Sequence, residues 1–162
     1  MKKNKFSKNW IIKQKRDIYI KKSKLEGYRS RAVYKLQEIN EKFKILKNGI
    51  DVIDLGAAPG SWSQFISKKF TNIKIVSIDL KEMENIENVI QIKGDFRDPL
   101  QQKKIMGLFN DKVDIVISDM AVNTTGNKNL DSLVTGELSL EALNFSINTL
   151  KKSGGFISKI FM

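Results

Sequence analysis

Short apolar stretches along this chain alternate with longer stretches in which apolar residues recur every three or four positions. The short stretches predict five buried strands, at residues 50–55, 73–78, 89–92, 113–118 and 154–161. The longer stretches predict helices at residues 31–46, 62–70, 99–109 and 133–150. Because strands that alternate with helices form βαβ units, the pattern predicts an α/β fold with a mostly parallel sheet and helices on both faces.

The first predicted helix shows the helical spacing most clearly. Its apolar residues fall on one face and are Val33, Leu36, Ile39 and Phe43. Ser30 is a suitable N-cap residue, and we expect Asn48-Gly49 to end the helix. In the last predicted helix, Gly136 is unfavourable to a helical start near residue 133.

Positive charge is concentrated at the start of the chain. The 162 residues, enough for one domain, include 29 Lys and Arg and 18 Asp and Glu, and the net charge is +11. Residues 1–47 hold sixteen of the basic residues and four of the acidic ones. Basic residues neutralise phosphates, and the interleaved Phe6, Trp10 and Tyr19 can stack on unpaired bases. Residues 1–28 are therefore predicted to form a basic arm that binds nucleic acid. A solvated lysine-rich tail and a cationic transit peptide are the other interpretations.

The chain contains no His and no Cys. These absences exclude a disulfide scaffold, a cysteine nucleophile, a cysteine-based zinc site and a Ser-His-Asp triad. They leave proton transfer to Lys, Asp, Glu or Tyr. No apolar stretch approaches the ~18 residues that a membrane span needs, and no signal-peptide core follows the basic N-terminus. We therefore expect a cytoplasmic protein with no membrane partner and no metal.

Small and acidic residues follow four of the predicted strands. Because ligands bind outside the carboxyl ends of parallel strands, the candidate site residues are Gly56, Gly60, Asp79, Asp95 and Asp119. The loop at residues 54–62, DLGAAPGSW, allows a close approach of its backbone but lacks the full dinucleotide fingerprint. It therefore favours a nucleoside without a pyrophosphate, and S-adenosylmethionine is the candidate. Asp79 is expected at the ribose hydroxyls and Asp95 at the adenine edge; the alternative is that both are turn residues.

Five ordered motifs carry a family resemblance. They are SRAVYKL at 30–36, DLGAAPGSWSQF at 54–65, GDFRD at 94–98, SDMAVNTTG at 118–126 and GGFISKIF at 154–161. Together they resemble the FtsJ/RrmJ (also called RlmE) family of S-adenosylmethionine-dependent RNA ribose 2′-O-methyltransferases, whose bacterial members act on a uridine of large-subunit ribosomal RNA. The resemblance implies a Rossmann-like methyltransferase domain over residues 29–162, acting as a monomer on ribosomal RNA within the large subunit.

The resemblance also implies roles for particular residues. Three positions match the Lys-Asp-Lys part of the family's catalytic set, and they are Lys35, Asp119 and Lys159. The positions that match the family's cofactor contacts are Gly60, Trp62, Asp79, Asp95 and Asp119. A ribose hydroxyl must have its proton removed or polarised. Without a histidine, Lys159 is the natural candidate, with Lys35 beside it and Asp119 orienting the pair.

The chain departs from the family pattern in three places. Ser61 stands where the family often has glycine, and Val122 stands where it usually has proline. The family's closing glutamate and final strands lie beyond the GGFISKIF segment, so we expect a C-terminally incomplete domain with the fifth strand at the sheet edge. Two other functions stay open: a transfer-RNA or cap-directed 2′-O-methyltransferase, and an inactive RNA- or ribosome-binding module.

Overall fold

The computed structural model describes residues 17–120 and 128–160. Its strands are β1 (Asp51–Leu55), β2 (Lys74–Asp79), β3 (Val89–Lys93), β4 (Val113–Ser118) and β5 (Leu150–Ser158). Its helices are α1 (Ile18–Leu25), α2 (Val33–Phe43), α3 (Ser61–Lys69), α4 (Pro99–Met106) and α5 (Lys128–Thr149). The strands form one sheet in the order β3-β2-β1-β4-β5, and every described pairing is parallel, which confirms the predicted sheet.

The sheet is covered on both faces, as the apolar strands predict. Leu36 of α2 and Phe65 of α3 are buried in a cluster on one face. Ile105 of α4 and Phe145 of α5 are buried in a second cluster on the other face. Successive residues of β1 contribute to opposite clusters, as the alternation of side chains along a strand requires. Each such buried apolar side chain stabilises the fold by about 1.5–3 kcal/mol.

The strand order determines where a ligand can bind. The chain builds outward from β1 through β2 to β3, then crosses back and builds outward on the other side through β4 to β5. The point of reversal lies between β1 and β4, where Leu55 is paired with Ser118. A crevice forms outside the carboxyl ends of the strands at such a point. The residues that leave the sheet there, Gly56 and Asp119, are therefore neighbours.

Helix α2 is shorter than the predicted helix. It begins at Val33 with Ala32 at the N-cap position, and it ends where Lys44 adopts a left-handed conformation with φ 52°. The predictions that Ser30 caps the helix and that Asn48-Gly49 ends it are therefore wrong. Phe43 is 62% exposed rather than buried, because the chain turns away at the next residue.

The boundaries of α5 and β5 also differ from the prediction. Helix α5 begins at Lys128, five residues early, and contains Gly136 in its interior. Strand β5 begins at Leu150 and ends at Ser158, so Lys159 lies just past the strand and not within it. The apolar residues on both sides of Lys159 extended the predicted strand, because an apolar pattern does not mark where pairing stops.

Part of the predicted basic arm is folded. Helix α1 was not predicted, and its N-cap residue Asp17 accepts a hydrogen bond from the main-chain N–H of Tyr19 and pairs with Arg31. The ring centroids of Tyr19 and Tyr34 lie 5.4 Å apart, and the hydroxyl of Tyr34 donates a hydrogen bond to the carboxylate of Glu26. These contacts attach α1 to α2. The boundary at residues 28 and 29 stays a prediction. In the described ranges, no helix is long and apolar enough to cross a membrane.

Candidate active site

A cavity of about 490 Å³ opens at the carboxyl ends of the strands, between the strand-end loops and α5. Four of the residues predicted from the sequence line it together, and they are Gly56, Asp79, Asp95 and Asp119. They come from the ends of four different strands. The crevice rule for parallel sheets therefore brings together the residues that the sequence marks at the strand ends.

Gly56 lines this cavity, at a position that only glycine suits. Its φ is +67°, a conformation that side chains rarely adopt, and an added Cβ would overlap Cγ of Met120. The Gly56 N–H donates to the carbonyl of Ile78 at 2.8 Å. The loop after β1 is thus drawn against β2, with the Met120 side chain directly above Gly56.

Asp79 joins two loops of the cavity wall. Its Oδ2 accepts a hydrogen bond from the main-chain N–H of Ala58 at 2.9 Å, and its Oδ1 accepts one from the main-chain N–H of Lys81 at 2.8 Å. Each carboxylate oxygen can accept a second bond. Asp79 can therefore hold the wall together and still accept bonds from ligand hydroxyls.

Asp95 is held by a residue that the sequence analysis did not single out. The guanidinium of Arg97 donates to both carboxylate oxygens of Asp95, with Nη2 at 2.7 Å from Oδ2, and these bonds lower the pKa of Asp95 below its ordinary value. Arg97 Nε also lies 3.6 Å from a carboxylate oxygen of Glu141 on α5. Arg97 lies inside the GDFRD motif, but its pairing with Glu141 depends on a contact between elements far apart in sequence.

Asp119 brings the two predicted catalytic lysines together. Its Oδ1 lies 2.8 Å from Nζ of Lys159 and 3.7 Å from Nζ of Lys35, and Lys159 also donates to the main-chain carbonyl of Asp119 at 3.0 Å. The side chains of Lys159 and Asp119 are 20% and 19% exposed, whereas that of Lys35 is 54% exposed. The cluster therefore has an enclosed pair and an outer lysine.

Gly60 and Trp62 lie behind the cavity and not on its described lining. A Cβ at Gly60, whose φ is +98°, would lie 2.5 Å from Cδ1 of Ile86 and 3.2 Å from Nη1 of Arg29. Trp62 is buried, and its ring N–H donates to the carbonyl of Ala32 at 2.8 Å. The observed contacts of both residues are packing contacts, and a contact with the cofactor stays a prediction.

Asp54 is a buried acid beneath the first loop. Its Oδ2 accepts a hydrogen bond from the hydroxyl of Ser63 at 2.7 Å. Burial raises the pKa of Asp54 to about 7; the bonds from Ser63 oppose this rise, and the nearby charges of Asp119 and Asp79 add to it. The burial of Asp54 could not be predicted from the sequence, because an acid in an apolar strand looks the same in sequence whether it is buried or at the rim of the sheet.

These features define a class of protein: an α/β protein with a cavity lined by acidic residues at the reversal of a parallel sheet and a lysine–aspartate–lysine cluster on its wall. A model of the FtsJ-like methyltransferase family matches residues 28–162. The chain belongs to that family, which confirms the resemblance carried by the motifs, and it is a methyltransferase.

Named relatives of the family cover most or all of the chain. The chain is 65% identical to the Ribosomal RNA large subunit methyltransferase E of Pelagibacter ubique, over the whole chain and 80% of that protein. It is 46% identical to the protein of the same name from Zymomonas mobilis, over 95% of the chain and 70% of that protein. The amino-acid sequence is thus similar to proteins named for action on the large-subunit RNA.

Solved structures support the same fold. A crystal structure described as a ribosomal RNA methyltransferase from Plasmodium falciparum superimposes with a TM-score of 0.77, at 36% identity, over 83% of this chain and 79% of that one. The MycE methyltransferase, solved with Mg and S-adenosylhomocysteine, shares the fold alone, with a TM-score of 0.51 at 17% identity over 78% of this chain and 32% of that one. The Rossmann-like methyltransferase fold is therefore confirmed.

Proposed function

We propose that this methyltransferase uses S-adenosylmethionine to methylate the ribose 2′-hydroxyl of a uridine in large-subunit ribosomal RNA. The observation that carries the proposal is the joining of Lys35 and Lys159 by Asp119 on the wall of the cavity. The names of the relatives support the large-subunit RNA as the substrate. These relatives are bacterial proteins, and bacterial ribosomes are cytoplasmic, so we propose that the protein acts in the cytoplasm. As the family resemblance implies, we propose that it acts as a monomer.

The cavity suits S-adenosylmethionine in size and charge. Its volume of about 490 Å³ lies within the ~300–1,000 Å³ usual for small-ligand pockets. Its charged lining residues are acidic in excess, with Asp79, Asp95, Asp119, Glu137 and Glu141 against Lys81 and Arg97. The acidic excess favours a cationic ligand. In this assignment, Asp79 binds the ribose hydroxyls and Asp95 lies beside the adenine.

The cluster on the cavity wall suits proton handling at a hydroxyl. When bound, the cofactor supplies a methyl group on a sulfonium, which a ribose oxygen can attack in line. Asp119 holds Nζ of Lys159 by two contacts, which limits the movement of the lysine. Lys159 is the proposed group that removes or polarises the hydroxyl proton, a contribution of ~10²–10⁴ in rate. The more exposed Lys35 is the proposed contact of the cluster with RNA.

Methyl transfer to defined RNAs tests the proposal. The full chain is incubated with labelled S-adenosylmethionine and large ribosomal subunits from cells that lack the endogenous methylation. Transfer RNA and capped RNA serve as parallel substrates. We expect label in the large subunit alone, recovered as 2′-O-methyluridine after nuclease digestion. Label in transfer RNA or capped RNA instead would assign the related substrate groups. RNA binding without any transfer would favour an inactive binding module.

The N-terminal residues offer a separate test of RNA binding. Deletion of residues 2–16 removes seven basic residues and no acidic ones, and it keeps α1 with its contacts to Tyr34. We expect weaker binding to large subunits and a shallower dependence of log K on log salt, because each lost phosphate contact reduces the steepness of the slope by about 0.7–0.9. Equal salt slopes for the intact and shortened proteins would show that these residues do not contact RNA.

A further inference from the structure

Arg29 connects its own segment of the chain to two loops by hydrogen bonds to main-chain carbonyls. Its Nη1 donates to Pro59 at 3.0 Å and to Glu84 at 2.9 Å, and its Nη2 donates to Asn85 at 2.9 Å. Pro59 belongs to the loop after β1, and the two other acceptors belong to the loop that connects β2 and β3. A planar guanidinium suits this task, because its donors point in fixed directions towards several acceptors.

The two loops held by Arg29 are the same two that Asp79 joins. Within the cavity, Asp79 accepts bonds from Ala58 and Lys81, one from each loop. Arg29 binds Pro59, the residue after Ala58, in the first loop and Glu84 and Asn85, further along than Lys81, in the second. The cavity wall is thus tied on both sides. Asp79 lines the cavity, where a ligand can reach it, whereas Arg29 is not among the described lining residues.

Arg29 also belongs to the segment that leads out of the basic arm. The main-chain N–H of Arg29 donates to the side-chain oxygen of Gln64 at 3.1 Å, and the Gln64 side chain donates to the carbonyl of Gly27 at 3.0 Å. The hydroxyls of Ser30 and Ser61 are hydrogen-bonded at 2.8 Å. Residues 27–30 are therefore attached along the first turn of α3, directly after the cofactor loop.

We propose that Arg29 is a positioning residue that couples the basic arm, residues 1–28, to cofactor binding. It holds the loop after β1 and the loop between β2 and β3 at the separation that the cofactor requires. RNA held by the basic arm then raises the affinity for S-adenosylmethionine. This inference rests on the proposed function. The coupling is reciprocal, because two ligands that share one protein must affect each other's binding equally.

Two substitutions separate this role from a general structural one. Arg29→Met removes all three side-chain bonds, and Arg29→Lys keeps the charge without the forked donors. By calorimetry, we expect Arg29→Met to raise the dissociation constant for S-adenosylmethionine by roughly tenfold, less than the full worth of three charge-assisted bonds, because Arg29 acts through the two loops and not on the cofactor. The kcat at saturating cofactor should stay within about twofold, because Lys159 and Asp119 are untouched. The dissociation constant of Arg29→Lys for S-adenosylmethionine should fall between those of the wild type and Arg29→Met.

The coupling is measured by repeating each titration with saturating large ribosomal subunits. In the wild type, we expect the subunits to tighten cofactor binding by about fivefold or more, the usual lower range of such couplings. In Arg29→Met the ratio should fall to about one. Arg31→Lys, two residues away with its partner Asp17 on α1, is the matched control and should keep the wild-type dissociation constant for the cofactor.

The possible outcomes are distinct. A wild-type protein that binds no S-adenosylmethionine contradicts the proposed function, whatever Arg29 does. A wild type that binds the cofactor, together with an Arg29→Met protein of equal affinity, overturns the positioning role. Subunits that leave the wild-type dissociation constant unchanged overturn the coupling. If Arg29→Met unfolds below the assay temperature, the same comparisons made with Arg29→Lys decide the question.

Discussion

The cavity at the strand ends and the lysine–aspartate–lysine cluster share Asp119 but are built differently. The cavity depends on main-chain groups: the N–H groups that bind Asp79 and the left-handed turn at Gly56. The cluster depends on ion pairs between side chains from α2, the end of β4 and the end of β5. A site built from main-chain bonds is fixed by local conformation, whereas a site built from side chains can be altered one group at a time. Substitutions in the cavity should therefore change the affinity for S-adenosylmethionine, and substitutions in the cluster should change the rate of methyl transfer.

The largest expected effect comes from Lys159→Met. We expect kcat to fall by ~10²–10⁴, the contribution of a positioned proton-transfer group, with the dissociation constant for S-adenosylmethionine unchanged. Lys151→Met is the matched control, because Lys151 lies on the strand that Lys159 follows and also forms an ion pair, with Asp114 at 2.9 Å, away from the cavity lining. Methyl-transfer rates at saturating cofactor measure the difference. Normal turnover in Lys159→Met would rule out its assigned role.

Asp54 lies beneath both regions and links stability to pH. Its pKa in the folded protein is about 7, against an ordinary value of 3.8. Between these two values the folded chain keeps a proton that the unfolded chain has lost, so this group makes stability fall as pH rises from about 4 to about 7. A pKa raised this far changes the free energy of unfolding by at most about 4 kcal/mol across that range.

Asp54→Asn removes this titration and keeps an oxygen that can accept the bond from Ser63. We expect the free energy of unfolding of the variant, relative to that of the wild type, to increase steadily between pH 4 and pH 7. Urea unfolding at several pH values measures it, and the difference between the two proteins cancels the other titrating groups. Parallel pH profiles for the two proteins would mean that Asp54 is ionised in the folded state.

Gly56→Ala tests whether the cavity depends on its main chain. The left-handed conformation costs an alanine about 1–2 kcal/mol, and the new Cβ forces Met120 to move. We expect cofactor affinity to fall by roughly tenfold, the equivalent of about 1.4 kcal/mol, while kcat at saturating cofactor changes little. Gly49→Ala is the control, because Gly49 has φ +76° with nothing within 4 Å of the new Cβ. It should lose stability and keep cofactor affinity.

The smallest expected effect comes from Lys35→Met. Its ammonium is 3.7 Å from Asp119 and its side chain is 54% exposed, and exposed ion pairs contribute only about 0.2–1 kcal/mol. We expect kcat to fall by less than tenfold, with a larger change in KM for the RNA. Steady-state kinetics with large subunits measure both values. A loss of kcat as large as that of Lys159→Met would instead give the two lysines equal parts in the chemistry.

The sequence predicts the sheet and the location of the site because both depend on local patterns. Apolar β-branched stretches form buried strands, and the acids that follow them, such as Asp79 and Asp95, must meet at one edge. The ends of elements were less predictable. Lys159 lies beyond β5, and the left-handed Lys44 ends α2 early, because pairing and turning depend on the whole fold.

The contacts of Arg29 could not be predicted from the sequence. Its acceptors are main-chain carbonyls, which every residue has, so no residue type marks them. The same limit applies to Gly60 and Trp62. A glycine or a tryptophan beside a cofactor loop looks the same in sequence whether it contacts the ligand or packs behind the wall.

The pairing of Leu55 with Ser118 has a geometrical consequence. Adjacent strands in a sheet are about 4.8 Å apart, and this spacing varies little because a row of main-chain hydrogen bonds sets it. Gly56 and Asp119 leave the sheet from these two strands, side by side. The main-chain separation of Gly56, which lines the cavity, and Asp119, which anchors Lys159, is therefore a property of the sheet itself. The proposed methyl transfer, which tolerates little error in its reacting distance, would thus draw part of its precision from the spacing of these two strands.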